Sequence, residues 1–348
     1  MTGRLIRFGL IGAGVAAETH AREMARVEGG VIRSVHARDG RKARDFAAAF
    51  RIEAAHDDLA AFLSDPEMDA VIITTPNGLH RDYAIAAARA GKHVVVEKPL
   101  EISEARAREI VDACRAAGVG LEVIYQRRYA EAARQAMRDI ADGRLGEILL
   151  VNIVDNQFRS PDYYRKDAWR GTKAVEGGGC VITQATHLID LAQYIVGPVT
   201  SVRAQARTAF HAIETEDVAV ALLTFANGAF GMFSASTAAF PGLRHLLTIC
   251  GTKGSIILNG EHDQIVFRGV DGETATRQVP ADFSFADPID PRDYPTEGQR
   301  RQLQAIVRNL LSRADTTSSI ALALRSVRVV DAIYRSAATG DTVTIGAD

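Results

Sequence analysis

Residues 93–99 read His-Val-Val-Val-Glu-Lys-Pro, an apolar strand that stops abruptly at a carboxylate, an ammonium and a proline. Ligands of open α/β sheets bind just outside the carboxyl ends of the strands. Lys98, pinned by a proline of fixed φ, is therefore placed to meet a substrate, with Glu97 beside it. A second such strand end comes earlier. Residues 5–11 read as a strand, and Gly12-Ala13-Gly14-Val15-Ala16-Ala17 follow it. Glycines at 12 and 14 let the backbone approach a pyrophosphate at a helix N-terminus, and Ala17 takes the third small position of the turn. A dinucleotide at one strand end and a lysine at another imply hydride transfer.

The end of the second strand bears on cofactor choice. NAD enzymes usually place an acidic residue there to grip the ribose 2′-hydroxyl. Here the strand ends Val35-His36-Ala37-Arg38. Ala37 cannot repel a 2′-phosphate, and Arg38 can bind one bidentately. This predicts NADP(H) in preference to NAD(H). Asp39 follows at once and either caps the next helix or weakens the preference. Thr75, Pro76 and Asn77 end the third long strand and lead to His80, where nicotinamide and substrate are expected to meet. Pro76-Asn77-Gly78 equally makes a turn with Asn77 as a helix cap.

The second half supplies Gly177-Gly178-Gly179 and then a helical pattern from about Cys180 through Thr183, Gln184, His187 and Asp190. Thr183 and His187 are four apart on such a helix, and Gln184 and His187 three apart, so they share a face. A histidine near its ordinary pKa of ~6.5 is the natural acid/base for an alcohol proton. Arg127, Arg128, Tyr163, Tyr164, Trp169 and Arg170 are candidates for a polar, aromatic substrate surface. The aromatics also suit core anchors.

These residues need two kinds of scaffold. Between residues 5 and 124, strands at 5–11, 31–36, 70–74, 93–97 and 120–124 alternate with helical patterns, among them 16–28, 79–90 and 103–117, the last opened by a serine cap. Val/Ile-rich strands with helical crossovers imply a doubly wound parallel sheet covered on both faces. Beyond residue 125 the pattern becomes α+β. A helix at 130–141 and a strand at 148–156 precede the triple-glycine turn. Strands follow at 199–209, 217–225, 229–236, 245–250, 255–258 and 264–267, implying a large, mostly antiparallel open sheet. A proline- and aspartate-rich run at 280–297 leads to helices at about 296–312 and 318–338. The expected domains are 1–124, for dinucleotide binding, and 125–348, for substrate and oligomerisation. Residues 217–225 and 229–232 carry more apolar side chains than one buried face requires, which predicts a homo-oligomer joined through the sheet.

Composition sets outer bounds. The 348 residues, 47% of them hydrophobic, suit two domains. A formal net charge of -2 without a long basic run argues against nucleic acid or an anionic membrane as the main partner. No stretch reaches the ~20 apolar residues of a membrane helix, and no signal peptide is read at the start. Cys114, Cys180 and Cys250 are far apart, which argues against a zinc site or disulfide framework and fits a reducing cytoplasm.

Taken together, the chain resembles the glucose-fructose oxidoreductase / inositol dehydrogenase / MocA (Gfo/Idh/MocA) family. The matching pieces are residues 9–14, Thr75-Pro76-Asn77 with His80, residues 90–93 running into Glu97-Lys98-Pro99, and Gly177-Gly178-Gly179 with His187 and Asp190. Residues 126–129 and 332–336 also look familial, so the likeness spans nearly the whole chain. The resemblance implies a Rossmann domain plus an α/β domain with a large open sheet, and a nicotinamide cofactor. It also implies Lys98 and His187 as the catalytic pair, sugars or polyols as substrates, and dimers or tetramers. Many relatives carry an aspartate or asparagine four residues before the histidine, where this chain has Thr183. Two other readings stay open: elimination chemistry with a retained cofactor, as in relatives resembling NAD-dependent glycosidases, and a non-catalytic NADP-binding sensor.

Overall fold

A computed structural model describes residues 4–259, 264–273, 275–277 and 295–346. The chain divides into two units, Met1–Gln126 with Thr296–Leu324, and Arg127–Pro295 with Arg325–Asp348. The first boundary falls two residues beyond the expected one. The larger departure is that residues 296–324 return to the first unit instead of staying with the second.

In the first unit, strands β1 (Ile6–Ile11), β2 (Gly30–His36), β3 (Ala54–His56), β4 (Ala70–Ile73), β5 (His93–Val96) and β6 (Leu121–Val123) form one sheet in the order β3-β2-β1-β4-β5-β6. Every pairing is parallel. The order reverses between β1 and β4, which opens a crevice at their carboxyl ends. The crossovers carry α1 (Val15–Met24), α2 (Gly40–Phe50), α3 (Leu59–Leu63), α4 (His80–Arg89) and α5 (Glu104–Ala117). Ser103 caps α5 by accepting from Arg106 N, as its sequence position suggests. Strand β3, three residues long, is too short to show a period in the sequence.

The core holds Phe8, Leu10, Ala17, Met24, Val35 and Ile72 together with Leu303, Ile306 and Val307. Those last three lie on α9 (Glu297–Ser312). Their spacing of three and four residues makes one apolar stripe, and that stripe is what brings the distant helix back to this sheet. Polar contacts fix its register: Gln302 Nε2 donates to the Val123 carbonyl at 2.8 Å and Asn309 Nδ2 to Glu122 Oε1 at 2.8 Å.

In the second unit, β7 (Ile148–Asn156), β8 (Val199–Arg207), β9 (Val218–Phe225), β10 (Phe230–Ser236), β11 (Leu246–Gly251), β12 (Gly254–Asn259), β13 (Gln264–Val270), β14 (Thr276–Arg277) and β15 (Val343–Thr344) form a sheet ordered β14-β13-β12-β11-β7-β10-β9-β8-β15. The β7–β10 pair is parallel and the other pairs are antiparallel. Val151, Ile153, Leu223, Phe233, Leu247 and Ile249 point to a buried face, the side on which α6 (Glu131–Ala141) and α8 (Thr186–Val196) pack. Short α7 (Pro161–Arg165) lies in the loop after β7, and α10 (Thr317–Thr339) closes the chain's helices.

The opposite sheet face is apolar at its centre. Register sets Phe230 opposite Leu150 and Met232 opposite Leu222. Phe230, Leu222 and Met232 are 66%, 62% and 55% exposed. The proline- and aspartate-rich run lies almost wholly outside the described residues. No helix among the described residues is long and apolar enough to cross a membrane.

Candidate active site

The turn after β1 has the geometry its glycines allow. Gly12 has φ +112°, and a Cβ there would stand 2.6 Å from Thr74 Oγ1, so both conformation and space require glycine. Gly14 is the N-cap residue of α1, supplies no side-chain cap and faces open space. The first N–H groups of α1 therefore lack a side-chain cap at an exposed helix start, the arrangement that binds phosphate. Val15 is exposed, Ala16 half-buried and Ala17 fully buried against the sheet.

Ala37 and Arg38 follow β2, with Arg38 exposed. The ambiguity at Asp39 resolves as a helix cap, because its Oδ1 accepts from Arg41 N at 2.9 Å and Lys42 N at 3.3 Å. At the end of β4 the Thr75 hydroxyl is buried and has no hydrogen-bond partner among the described residues, which suits it to a polar ligand. Pro76 precedes a 3-10 turn over Asn77–Leu79. Asn77 opens that turn, and the N-cap residues of the turn and of α4, Pro76 and Leu79, supply no side-chain cap. These features together fit a dinucleotide: an uncapped helix start, an unpartnered buried hydroxyl and an exposed guanidinium.

Two buried histidines bracket Lys98. His20, on the inner face of α1, donates from Nε2 to Glu97 Oε1 at 2.8 Å. The other Glu97 oxygen accepts from Lys98 N at 3.1 Å. Burial pushes the Glu97 carboxyl up, but the His20 bond and the Lys98 charge prevail and hold it below the usual carboxylate range. The residue is therefore ionised and can only accept, which puts a proton on His20 Nε2. On the other side His80 is fully buried, with Nδ1 2.9 Å from the Pro99 carbonyl and Nε2 2.9 Å from the Thr75 carbonyl. Each ring nitrogen faces a backbone carbonyl and the neutral ring donates to one of the two, so His80 contributes by holding the Thr75 end of β4 beside the residue after Lys98. Burial lowers its pKa.

In the second unit the triple glycine is a packing requirement. A Cβ on Gly179 would meet the Glu216 carbonyl at 1.7 Å, and one on Gly178 the Tyr334 hydroxyl at 2.0 Å. Glu216, buried, accepts from Gly179 N at 2.9 Å, Val181 N at 3.0 Å and Tyr334 Oη at 3.1 Å. Its carboxyl is pushed up by burial and held back by those donors. The helix expected from Cys180 begins as a π turn over Val181–Ala185, and α8 starts at Thr186. Because a π turn is wider than an α turn, residues four apart still lie near one side. From 181 to 190 only Thr183 and His187 are incompletely buried, while Gln184 is buried. Asp190 turns inward and is committed to Arg128 Nε at 2.8 Å, Arg128 Nη2 at 2.5 Å and Ser326 Oγ at 2.7 Å.

Thr183 donates to Glu176 Oε1 at 3.2 Å, and the other Glu176 oxygen accepts from Gly171 N. Glu176 is buried, and burial raises its pKa. It connects the start of the His187 helix to the loop carrying Trp169 and Arg170. In that loop Arg170 Cζ lies 4.2 Å from the Tyr163 ring centroid and 4.6 Å from that of Trp169, and Arg170 Nε donates to Asp167 at 3.0 Å. Arg159 approaches the same Tyr163 ring at 5.7 Å. Its Nη2 donates to Gln157 Oε1, and Gln157 Nε2 donates to Asp155 Oδ1 at 2.6 Å. His245 Nε2 donates to that Asp155 oxygen at 3.2 Å, while His245 Nδ1 accepts from Arg127 Nη2 at 3.4 Å.

In the first unit residues 12–16, 37–38, 75–77 and 97–98 follow strand ends and His80 opens α4. In the second, a chain of contacts runs from Arg127 through Tyr163, Trp169 and Arg170 to Thr183, while Gln184 is buried and His187 half-buried four residues beyond Thr183. Sequence reasoning missed His20, Arg159, Glu176 and Glu216. His20 had a signal, since it falls three residues after Ala17 on the same inner face of α1.

Residues 6–125 match the model of an oxidoreductase family with an NAD-binding Rossmann fold, and residues 133–257 match the GFO/IDH/MocA C-terminal domain. A 1,5-anhydro-D-fructose reductase of Ensifer adhaerens is 31% identical over 79% of this chain and 83% of its own length. A levoglucosan dehydrogenase of Pseudarthrobacter phenanthrenivorans is 32% identical over 63% of this chain, and the match spans 62% of that protein's length. The crystal structure of the WlbA dehydrogenase from Bordetella pertussis in complex with NADH and UDP-GlcNAcA superimposes with a TM-score of 0.83 at 30% identity, covering 99% of this chain and 100% of that one.

Proposed function

Since the chain belongs to the Gfo/Idh/MocA family of NAD(P)-dependent oxidoreductases, we propose that it moves hydride between NADP(H), in preference to NAD(H), and a CH–OH or carbonyl carbon of a sugar, polyol or sugar derivative. The carrying observation is the meeting of three features at the carboxyl ends of β1, β4 and β5. These are the uncapped start of α1, the unpartnered Thr75 hydroxyl and Lys98 held by Glu97. The sugar class draws support from the names of the levoglucosan and anhydrofructose enzymes.

The dinucleotide, when bound, supplies the hydride acceptor. Gly12 and Gly14 leave its phosphates room, and the α1 N–H groups receive their charge. Arg38 takes the 2′-phosphate and Ala37 leaves it unopposed. Thr75, Pro76 and Asn77 contact the nicotinamide end. The Lys98 ammonium polarises the reacting oxygen and favours the alkoxide. His187 accepts the hydroxyl proton during oxidation and returns it during reduction. Arg127, Tyr163, Trp169, Arg170, Thr183 and Gln184 orient the substrate.

We also infer a homodimer or homotetramer assembled through the face bearing Leu150, Leu222, Phe230 and Met232. A central apolar patch of this kind on a sheet is normally covered. The catalytic proposal is tested by following reduced-nicotinamide absorbance across a panel of sugars and polyols with both cofactors. Turnover with at least one sugar, more efficient with NADP+, is expected. A panel with cofactor binding but no turnover would contradict it.

A further inference from the structure

We propose that Arg170 and Arg159, grouped around Tyr163, form a subsite for an anionic group, a carboxylate or a phosphate, borne by the sugar. The proposal rests on the oxidoreductase reading for the sugar itself, and on the following geometry for the anion.

Arg170 is held in place before any ligand arrives. The Tyr163 and Trp169 rings lie 4.2 and 4.6 Å from its Cζ, and Nε is tied to Asp167. Its two terminal nitrogens have no hydrogen-bond acceptor among the described residues, and the side chain is 20% exposed. A stacked guanidinium with its terminal edge open has the fork geometry that matches a carboxylate or phosphate, and little entropy is left to lose on binding.

Arg159 adds a second positive charge at the same tyrosine. Its acceptors are neutral oxygens, the Gln157 amide and the Phe158 carbonyl, and no carboxylate pairs with it among the described residues. Its Nε is buried without an acceptor among the described residues, a donor whose desolvation they leave uncompensated. Asp167 is the carboxylate directly paired with Arg170. Glu176, the other acid near Arg170, accepts from Gly171 N and Thr183 Oγ1. Two guanidiniums thus share one directly paired carboxylate at this tyrosine, and the second has none among the described residues. A neutral hydroxyl would satisfy one donor and leave that charge unanswered. A sugar acid or sugar phosphate answers both.

The subsite also connects to the proposed proton acceptor. Gly171, next to Arg170, donates to Glu176, which accepts from Thr183 in the turn leading to His187.

Trp169 is the chain's single tryptophan, so fluorescence excited selectively at tryptophan reports on this stack. The full-length protein, saturated with NADP+, is titrated with D-glucose, D-glucuronate, D-glucose 6-phosphate and inorganic phosphate, by fluorescence and by calorimetry. At least one anionic sugar is expected to bind about ten-fold or more tighter than glucose, as a charge-assisted pair implies. The advantage should fall in Arg170→Gln and Arg159→Gln and recover in part in Arg170→Lys. Tighter glucuronate identifies a carboxylate; tighter glucose 6-phosphate identifies a phosphate. Equal affinity for glucose and both anionic sugars would overturn the proposal. So would no response at millimolar concentration, a preference unchanged in both glutamine variants, or inorganic phosphate binding as tightly as the best anionic sugar, which would mean an adventitious ion only. Unchanged NADP+ affinity shows that the variants fold. Binding requires no turnover, so an anion preference without hydride transfer would sink the oxidoreductase reading and leave the subsite standing.

Discussion

Replacing His20 with leucine removes the donor to Glu97 while keeping an apolar side chain of similar bulk in the α1 core. His20 is fully buried and the Glu97 side chain 15% exposed, and their contact is 2.8 Å. Loss of a hydrogen bond to a charged group at such a site costs about 1.5–3 kcal/mol. In a unit of this size that lowers the melting temperature by about 3–12 °C. The pH dependence has a definite sign. Glu97 is depressed in the folded protein, so its contribution is fully present above the ordinary glutamate pKa of about 4.3. It is lost as pH falls through the lower folded value. The variant's deficit should therefore be largest near neutrality and shrink in acid. Urea unfolding of the parent, His20→Leu, Glu97→Gln and the double variant, at pH 7 and near pH 3, isolates the coupling. A deficit below about 0.5 kcal/mol at neutral pH, simple additivity or an equal deficit in acid would refute the reasoning. Because the other Glu97 oxygen holds Lys98 N, kcat should fall with stability, and cofactor affinity should change less.

Arg38→Ala should weaken NADP(H) by about 1.5–3 kcal/mol and NAD(H) much less; equal dissociation constants for the two cofactors in the parent protein would sink this preference. Thr183→Ala should raise KM with little loss in kcat, because its hydroxyl binds Glu176 at 3.2 Å and cannot hold a charge at neutral pH. A kcat loss as large as that of His187→Ala would place the threonine in the proton relay. Met232→Lys, on the exposed sheet face, should shift light scattering toward the 37.5 kDa monomer mass. A parent protein already at that mass would remove the interface.

The parallel sheet and the glycine turn were legible because each is local: alternating Val/Ile runs, glycines and caps within a few residues. The exposed apolar stripe on β9 and β10 was legible for the same reason, as an excess over one buried face. What escaped depends on long-range contacts. Glu97 meets His20 across 77 positions, and Glu216 reaches Gly179 across 37. No period in a sequence encodes such meetings. The departure at Thr183 was visible, but Glu176 as its partner was not, since it lies seven positions earlier, on the other side of the triple-glycine turn. Likewise α9 looked like a closing helix of the second domain. Its stripe Leu303-Ile306-Val307 is apolar without stating which sheet it covers.

The central claim is that Lys98 and His187 carry out the proton and charge work of hydride transfer. The most direct measurement is kcat of Lys98→Met and His187→Ala with the best sugar substrate, alongside NADP+ dissociation constants. Each variant is expected to lose about 10²-fold or more in kcat, as general acid–base help is worth ~10²–10⁴, with cofactor affinity nearly unchanged. Near-normal turnover in either variant would contradict the account and remove that residue from the mechanism.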